Sequence, residues 1–592
     1  KLSTLKRLSL LRILSAILGC AFDDLRQRDH ERQAKKQRII CSIAAGLLLL
    51  VVGGSLYLWD YNRLKVEYYN TMVYRWGVPE GVGKLTEREV AHKNYHFRIE
   101  SRRRRIQRVA CENSARRRDS VDPFESLQEV VYRENGQLEN GQLDRVIFKN
   151  VRGRIVYIKK YEFYDGRTDR PDSAVVDLLT EFLTPYTFTS VKYTTTEYST
   201  YRSEVTRHLL VFDDNGYPER IRYRNYYGLV RADVNGVVEI GYTRSVNGMV
   251  EREDYVYRDT VITRGPAAIG YRTYAYNERW RATETRAYTA QGLPAVDEYG
   301  IHLERNEYDR WNNRSRKAYY DAAERPVEDQ FGVSSATYEY DGNGFEVASM
   351  QYDAQGKLTA GKLGYAGTRS VNDARGNETE KLYVNAGGKP ANNSYGFGKY
   401  VIKYDNQDRR IEESFFTAEG GPARTVGGRH KTLIEYDQQG NRTRERFLGE
   451  DGKPALNDWG YASNRRWYDE RGNRVKEERY GIDDKPAAGK GGTFRMTWTY
   501  DEKNFLTAWA FYQVNGELCG AIEKYQRDEW GNPIEVSYCD ANEELVNQKN
   551  GYARMTYTYE NGSQKCVRYY DASGREVKPR KEHKKDSKVL IF

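Results

Sequence analysis

Residues 432–463 read TLIEYD, QQGN, RTRERFLG, EDGKPA, LNDWGYAS, and the order of these pieces decides the fold. TLIEYD and RTRERFLG suit extended chain, and a four-residue turn containing Gly440 separates them. Gly supplies positive φ there, which is hairpin chemistry. A second turn, Asp451-Gly452-Lys453-Pro454, follows, with Pro supplying a fixed φ. A longer loop carrying Gly460-Tyr461-Ala462 leads to the next unit.

The same order recurs with a fixed 32-residue period. The Tyr-Asp pair, or a variant of it, begins at Tyr276, Tyr308, Tyr340, Asn372, Tyr404, Tyr436, Tyr468 and Tyr500. A second landmark falls at Pro294, Pro326, Leu358, Pro390, Pro422, Pro454, Pro486 and Leu518. After Leu518 the register slips by five residues, and Arg527-Asp528 and Tyr559-Glu560 take the Tyr-Asp place. A column in the second strand (Ser315, Val347, Thr379, Ile411, Thr443, Val475, Thr507, Ile534) is β-branched in all but Ser315, and a column four residues on is mostly aromatic. Between them, Lys317, Ser349, Lys381, Glu413, Glu445 and Glu477 are expected on a solvated edge. One hairpin cannot bury its apolar stripe alone, so neighbours must stack. The expected fold is mainly β: tandem 32-residue antiparallel β-hairpin repeats in an elongated or curved sheet, preceded by one transmembrane helix.

Residues 271–577 hold the regular repeats. Residues 126–270 read as diverged repeats with insertions, of which 172–184 (DSAVVDLLTEFLT) is expected to be helical. Residues 60–125 read as a membrane-proximal helix and an irregular segment, and 578–592 as a basic, disordered tail. Residues 1–38 read as a cytoplasmic amphipathic, basic linker. The net charge of +10 sits at the two ends, leaving 39–577 balanced. A balanced body argues against nucleic-acid binding, which needs a basic face. The run Arg102–Arg105 with Arg116–Arg118 reads as a solvated loop or a contact with anionic lipid.

Ile39–Trp59, IICSIAAGLLLLVVGGSLYLW, carries no charged side chain from end to end. At about 1.5 Å per residue it spans the roughly 30 Å hydrocarbon core, with Tyr57, Trp59 and Tyr61 as an interfacial belt. Arg26, Arg28, Arg32, Lys35, Lys36 and Arg38 precede it; Arg63, Lys65 and Arg75 follow. The positive-inside rule then puts the N-terminus in the cytoplasm of a bacterial inner or plasma membrane and residues 60–592 outside. The first residue is Lys, so a segment upstream of Lys1 is expected.

No GxSxG, P-loop or GxGxxG motif is present, and His92 and His96 (HKNYH) lack the HExxH pattern of a metal site. Neither an enzyme nor a cofactor is expected within this chain. The recurrent Asp is expected to cap its own turn rather than to bind calcium. Cys111, Cys519, Cys539 and Cys566 leave one late disulfide open, with no pairing fixed. The loop aromatics Tyr365, Trp459, Tyr461 and Tyr552 are candidates for stacking on sugars or gripping a protein, or else they fill a thin core.

YDQQGN at Tyr436 and YDERGN at Tyr468 resemble the repeats of YD or RHS-type proteins over roughly residues 271–577. RHS toxins carry a longer core motif and a cleaved toxin end, and this sequence departs from that pattern in showing neither. Leu14–Arg38, running into the membrane helix and on to Tyr74-Arg75-Trp76-Gly77-Val78-Pro79, resembles the connector of bacterial membrane proteins with an N-terminal TIR domain. That resemblance implies a TIR NADase upstream and a variable domain outside. The expected function is a receptor-like, single-pass signalling protein whose repeats bind an extracytoplasmic protein or glycan. Homo-oligomerisation is open. The alternatives are an adhesive module for cell-wall glycan or protein, and an RHS-like toxin shell.

Overall fold

The computed structural model describes residues 2–118, 126–133, 143–165, 171–186, 189–193, 198–202, 205–233, 235–257 and 269–580. The basic tail beyond Arg580 lies outside them. Two compact units are present: Lys1–Lys65 with Ser101–Arg105, and Val66–Glu100 with Ile106–Phe592.

The first unit holds α1 (Leu2–Leu18) and α2 (Phe22–Asn62). Gly19, at φ 62°, breaks the helix between them. The Arg7 guanidinium meets Asp29 at 2.7 Å across the pair. α2 is one unbroken helix that carries the basic residues 26–38 directly into the apolar stretch. None of its residues is buried, and Leu49 and Leu50 are each 73% exposed. By length and composition it can cross a membrane.

The rest is strand. β1 (Lys65–Arg75), β2 (Val78–Leu85), a short α3 (Glu87–Val90), β3 (His96–Arg102) and β4 (Arg105–Glu112) occupy the region read as a membrane-proximal helix. The ladder between β1 and β2 overrides that reading, with Tyr68 and Asn70 buried on either side of the less buried Tyr69. β5 (Leu127–Tyr132), β6 (Leu143–Lys149), β7 (Ile155–Asp165) and β8 (Pro171–Leu179) follow. β8 corrects the helix expected at 172–184. Ala174, Val176 and Leu178 are fully buried at a period of two, between ladders from β7 and from Arg207–Phe212.

Among the described residues 33 strands form one antiparallel sheet, and Thr189–Tyr193 pairs separately with Tyr198–Arg202. From β4 onward each strand of the large sheet pairs with the next, as a continuous meander. The regular hairpins share one register: Thr432 faces Phe447 and Ile434 faces Glu445 in one, and Met496 faces Phe511 in another.

A tyrosine links each hairpin to the one before it. The hydroxyls of Tyr276, Tyr308, Tyr340, Tyr404, Tyr436, Tyr468, Tyr500 and Tyr559 each donate to a carbonyl 26 residues earlier, at 2.6–3.3 Å. Where the sequence departs from Tyr, another donor takes the place. Asn372 Nδ2 donates to the Glu346 carbonyl, and Arg527 Nε, after the five-residue deletion, to Leu506, 21 residues back. Arg244 and Tyr132 make the same 26-residue link to Pro218 and Ile106 in the diverged region. The Asp that follows caps its own turn. Asp469 Oδ1 accepts from the amides of Arg471 (3.0 Å) and Asn473 (2.8 Å), and its Oδ2 from Asn473 Nδ2.

The meander coils, so later turns meet earlier ones. The Trp76 amide donates to the Gly216 carbonyl (2.7 Å), Lys93 Nζ to those of Trp311 and Asn312, Asn113 Nδ2 to Arg375, and Asn225 Nδ2 to Asn561. Close approach demands glycine here: a Cβ on Gly344 would lie 2.4 Å from the His92 carbonyl oxygen. The expected exposed linker around His92 and His96 is therefore part of this seam. His92 stacks on Trp311 at 4.1 Å, and His96 is fully buried.

The main apolar core lies in the early strands, around Val130, Val146, Phe148, Tyr157, Val176 and Phe212. The regular repeats bury charge instead. Glu445 shares a face with Thr443 and Phe447, since the period is two; Glu477 is buried and the rest of its column half-buried, which corrects the solvated edge expected there. Arg466 joins Glu445 at 2.8 Å and Glu477 at 2.9 Å, and Arg474 meets Glu477 at 2.7 Å. Burial opposes ionisation of Glu445, but Arg466, Asn464 and Arg442 outweigh it and hold the carboxyl below its ordinary range. All six cysteines are free, so no late disulfide forms in this structure.

Two outcomes follow. Tyr436→Phe removes one hydroxyl–carbonyl bond, worth about 1 kcal/mol. It should therefore speed amide exchange in Arg410–Phe416 roughly fivefold. Unchanged exchange there would show the link to be idle. Arg466→Met removes the guanidinium that bridges Glu445 and Glu477, leaving Arg442 and Arg474 as their partners, and should cost about 2 kcal/mol at neutral pH by urea unfolding in detergent. Glu445's folded pKa is depressed, so its contribution is present above the unfolded value and lost as pH falls through the folded one. The cost should therefore shrink below about pH 4.5; a pH-independent cost would contradict the pairing.

Candidate functional site

Each repeat sends a third turn to the same side of the sheet, and side chains two residues into that turn recur as aromatics. Tyr299, Phe331, Tyr395 and Trp459 occupy this position, with amides bonded to Oδ1 of Asp297, Asp329, Asn393 and Asn457 at 2.8–3.0 Å. The following Gly300, Gly332, Gly396 and Gly460 all have φ between 78° and 88°. Identical turn geometry presents the four rings alike. They are 36%, 38%, 56% and 46% exposed, respectively. Leu363 and Gly427 fill the intervening places.

Backbone bonds tie these turns together. The Lys362 amide donates to the Phe331 carbonyl, Ser394 to Leu363, Val426 to Tyr395, Asp458 to Gly427 and Lys490 to Trp459, at 2.8–3.3 Å. The aromatic positions are thus held at the pitch of the hairpins, roughly 10 Å for two strands. Beside Tyr299 and Phe331 lies a depression of about 420 Å³ whose lining includes Asp297, Glu304, Asp329 and Gln330. The Tyr299 hydroxyl donates to Gln330 Oε1 at 3.1 Å. Burial and the neighbouring Glu298 raise the Tyr299 phenol above its ordinary pKa, so it stays a donor. Aromatic faces with carboxylates and amides at the rim suit a ligand carrying both apolar faces and hydroxyls.

Of the four loop aromatics singled out from the sequence, this row contains Trp459 alone. Tyr461 is buried, packed on Phe447 at 6.0 Å with Arg479 over its ring at 5.0 Å. Tyr365 stands edge-on to Tyr383 at 4.9 Å, and Tyr552 lies between Tyr538 and Tyr569. The Gly-Tyr-Ala motif drew attention to the column after the glycine, which fills the interior. The exposed column is the one before the glycine, and its 32-residue spacing was the signal that would have found Tyr299, Phe331 and Tyr395.

A second, charged feature opens on the seam. Arg116, Arg117, Arg118, Arg152, Arg375, Arg409, Arg410 and Arg442, against Glu378 and Asp408, line a cleft of about 1010 Å³. It opens between the Asn113–Arg375 contact and Arg154, which donates to the Gln439 carbonyl at 3.2 Å. Arg375 pairs with Asp408 at 2.5 Å, while Arg117 spends its donors on the Arg375 and Gly376 carbonyls. Forked guanidinium groups in this number favour carboxylates and phosphates. Among the described residues no cluster of His, Cys, Asp or Glu could hold a metal ion.

No protein-family model matches the chain, and no curated protein matches it. Among solved structures, the crystal structure of TcdB2-TccC3-TEV aligns with a TM-score of 0.34 and 11% identity over 82% of this chain. That of TcdB2-TccC3-Cdc42 aligns with a TM-score of 0.24 and 10% identity over 86%. This chain spans 26% of each of those chains. At such scores the likeness carries no argument, and the fold rests on the strand pairing itself.

Trp459→Ala or Tyr395→Ala should weaken retention on a polymeric glycan column about three- to tenfold without lowering the unfolding midpoint. Tyr461→Ala should lower the midpoint instead. Unaltered retention in the first two variants would remove the row from consideration as a binding site.

Proposed function

We propose that this chain is a single-pass membrane protein of receptor-like type. Its β-repeat domain stands outside the cytoplasm and binds an extended glycan along the aromatic row. The observation that carries this reading is the row itself: four exposed rings at one turn position, one or two hairpins apart, in turns tied together by hydrogen bonds. An extended polymer can touch several such positions at once, and a small ligand cannot. α2 supplies the anchor, and the basic residues 26–38 on the same helix support a cytoplasmic N-terminus. The helices α1 and α2 would pass ligand occupancy to an effector upstream of Lys1, of which a TIR domain is the version suggested by the connector's sequence. In this reading the chain acts by binding and carries no chemistry of its own.

The seam supports a second reading, an RHS-like shell. A strip whose late turns close on its early ones can enclose a cargo, as the Asn225–Asn561 and Asn113–Arg375 contacts illustrate.

The native cysteines test the topology. Cys20 precedes the apolar stretch and Cys566 lies in the last long hairpin, and both are exposed. In spheroplasts, a membrane-impermeant maleimide should label a variant retaining Cys566 alone. It should label one retaining Cys20 alone only after the membrane is broken. The reverse pattern would overturn the orientation.

A further inference from the structure

The exit of the apolar helix carries a second basic feature, separate from the arginine cleft. Within the first unit, Tyr57, Asp60, Tyr61, Arg63 and Lys65 surround a small recess together with Ser101, Arg102, Arg103 and Arg104. Five basic side chains therefore face one carboxylate. Asp60 is engaged by Arg63 at 2.8 Å and by Lys65 at 2.9 Å, and the Lys65 hydrogen bond above all keeps it ionised. Among the described residues no carboxylate lies within ion-pairing distance of Arg102, Arg103 or Arg104, and all three are exposed.

The backbone places these arginines. The Arg103 amide donates to the Tyr61 carbonyl at 3.0 Å, Arg102 Nε to the Asn62 carbonyl at 2.8 Å, and Arg103 Nε to Asn62 Oδ1 at 2.8 Å. The cluster is thus fixed to the last turn of α2, next to Trp59, whose ring lies 5.1 Å from the Arg63 guanidinium. Arg103 and Arg104 are also the two residues of a hairpin turn, with φ of 53° and 61°. That conformation favours Asn-Gly, and arginine is poorly suited to it. Two arginines without a carboxylate partner in unfavourable backbone, at the depth where a membrane's headgroups would lie, require a reason outside the fold.

We propose that the recess between Asn62 and Arg104 binds the phosphate of an anionic phospholipid, clamping the helix exit to the headgroup layer. The shared chemistry is that of any phosphate; the position beside the interfacial Trp59 and Tyr61 selects the lipid. The inference rests on the reading of α2 as a membrane span.

The test uses the full chain in nanodiscs of equal parts phosphatidylcholine and phosphatidylglycerol, with the lipids retained after detergent extraction counted by mass spectrometry. Wild-type protein should retain phosphatidylglycerol preferentially, and millimolar inorganic phosphate should not displace it. R103N/R104G installs the residues the turn prefers. It should melt no lower than wild type yet lose preference at least fivefold, the change that corresponds to about 1 kcal/mol for one basic group near an anionic surface. R103K/R104K should keep the preference. Equal retention by wild type and R103N/R104G overturns the proposal, as does displacement by free phosphate. Should R103N/R104G unfold, loss of preference in R103K/R104K would overturn it and retention would support it. Extraction by alkaline carbonate is read separately: release of wild-type protein would refute the span, whereas resistance with no lipid preference refutes only the clamp.

Discussion

The hydrogen bond from each repeat's Tyr hydroxyl to a carbonyl of the preceding hairpin is the constraint on which the rest of the structure depends. A ladder pairs strand with strand but leaves the twist between hairpins soft. The tyrosine crosses that boundary and fixes where each hairpin begins relative to the last. The departures from Tyr show what the link requires physically: at Asn372, Arg244 and Arg527 the residue changes while a side-chain donor reaches the equivalent carbonyl. At Arg527 the interval shortens from 26 to 21 and the link persists across the deletion. With every hairpin at a fixed pitch, the sheet curls regularly enough for its late turns to reach its early ones, and glycines such as Gly344 permit the contact.

Much of this was legible in the sequence. The 32-residue period, the two strands, the turn glycines and the capping role of Asp are local, and local chemistry reads directly from residue order. What was missed depends on partners far along the chain. Glu477 looks solvated because it is charged, and only its pairing with Arg466 on the facing strand explains its burial. β8 contains Ala174 and Leu178-Leu179, with Glu181 just beyond it, and resembles a helix until β7 and Arg207–Phe212 flank it. Arg102–Arg105 and Arg116–Arg118 appear as one basic stretch in the sequence. In the structure the former lies with the helix exit and Arg116–Arg118 with a cleft on the seam.

The separation of those arginines also bears on topology. Arg102–Arg104 lie far beyond Lys65 in sequence, yet they share its recess. Insertion acts on the nascent chain, where only residues near the end of the span count. In the proposed topology the basic residues before Ile39 therefore retain their weight in setting orientation, and the folded cluster would act later, on lipid. Aromatic row, seam and helix exit each use arrangements that a thin repeat sheet provides readily: equal spacing, a long edge and many turns.

Coiling is the claim from which the remaining geometry follows, and one distance tests it most directly. Arg152 and Gln438 line the same cleft. Spin labels at these two positions, in a chain otherwise free of cysteine, should give a single short distance by pulsed electron resonance. Were the hairpins an extended ribbon, the labels would stand about nine hairpins apart, roughly 90 Å, and a distance of that order would contradict the coiled sheet.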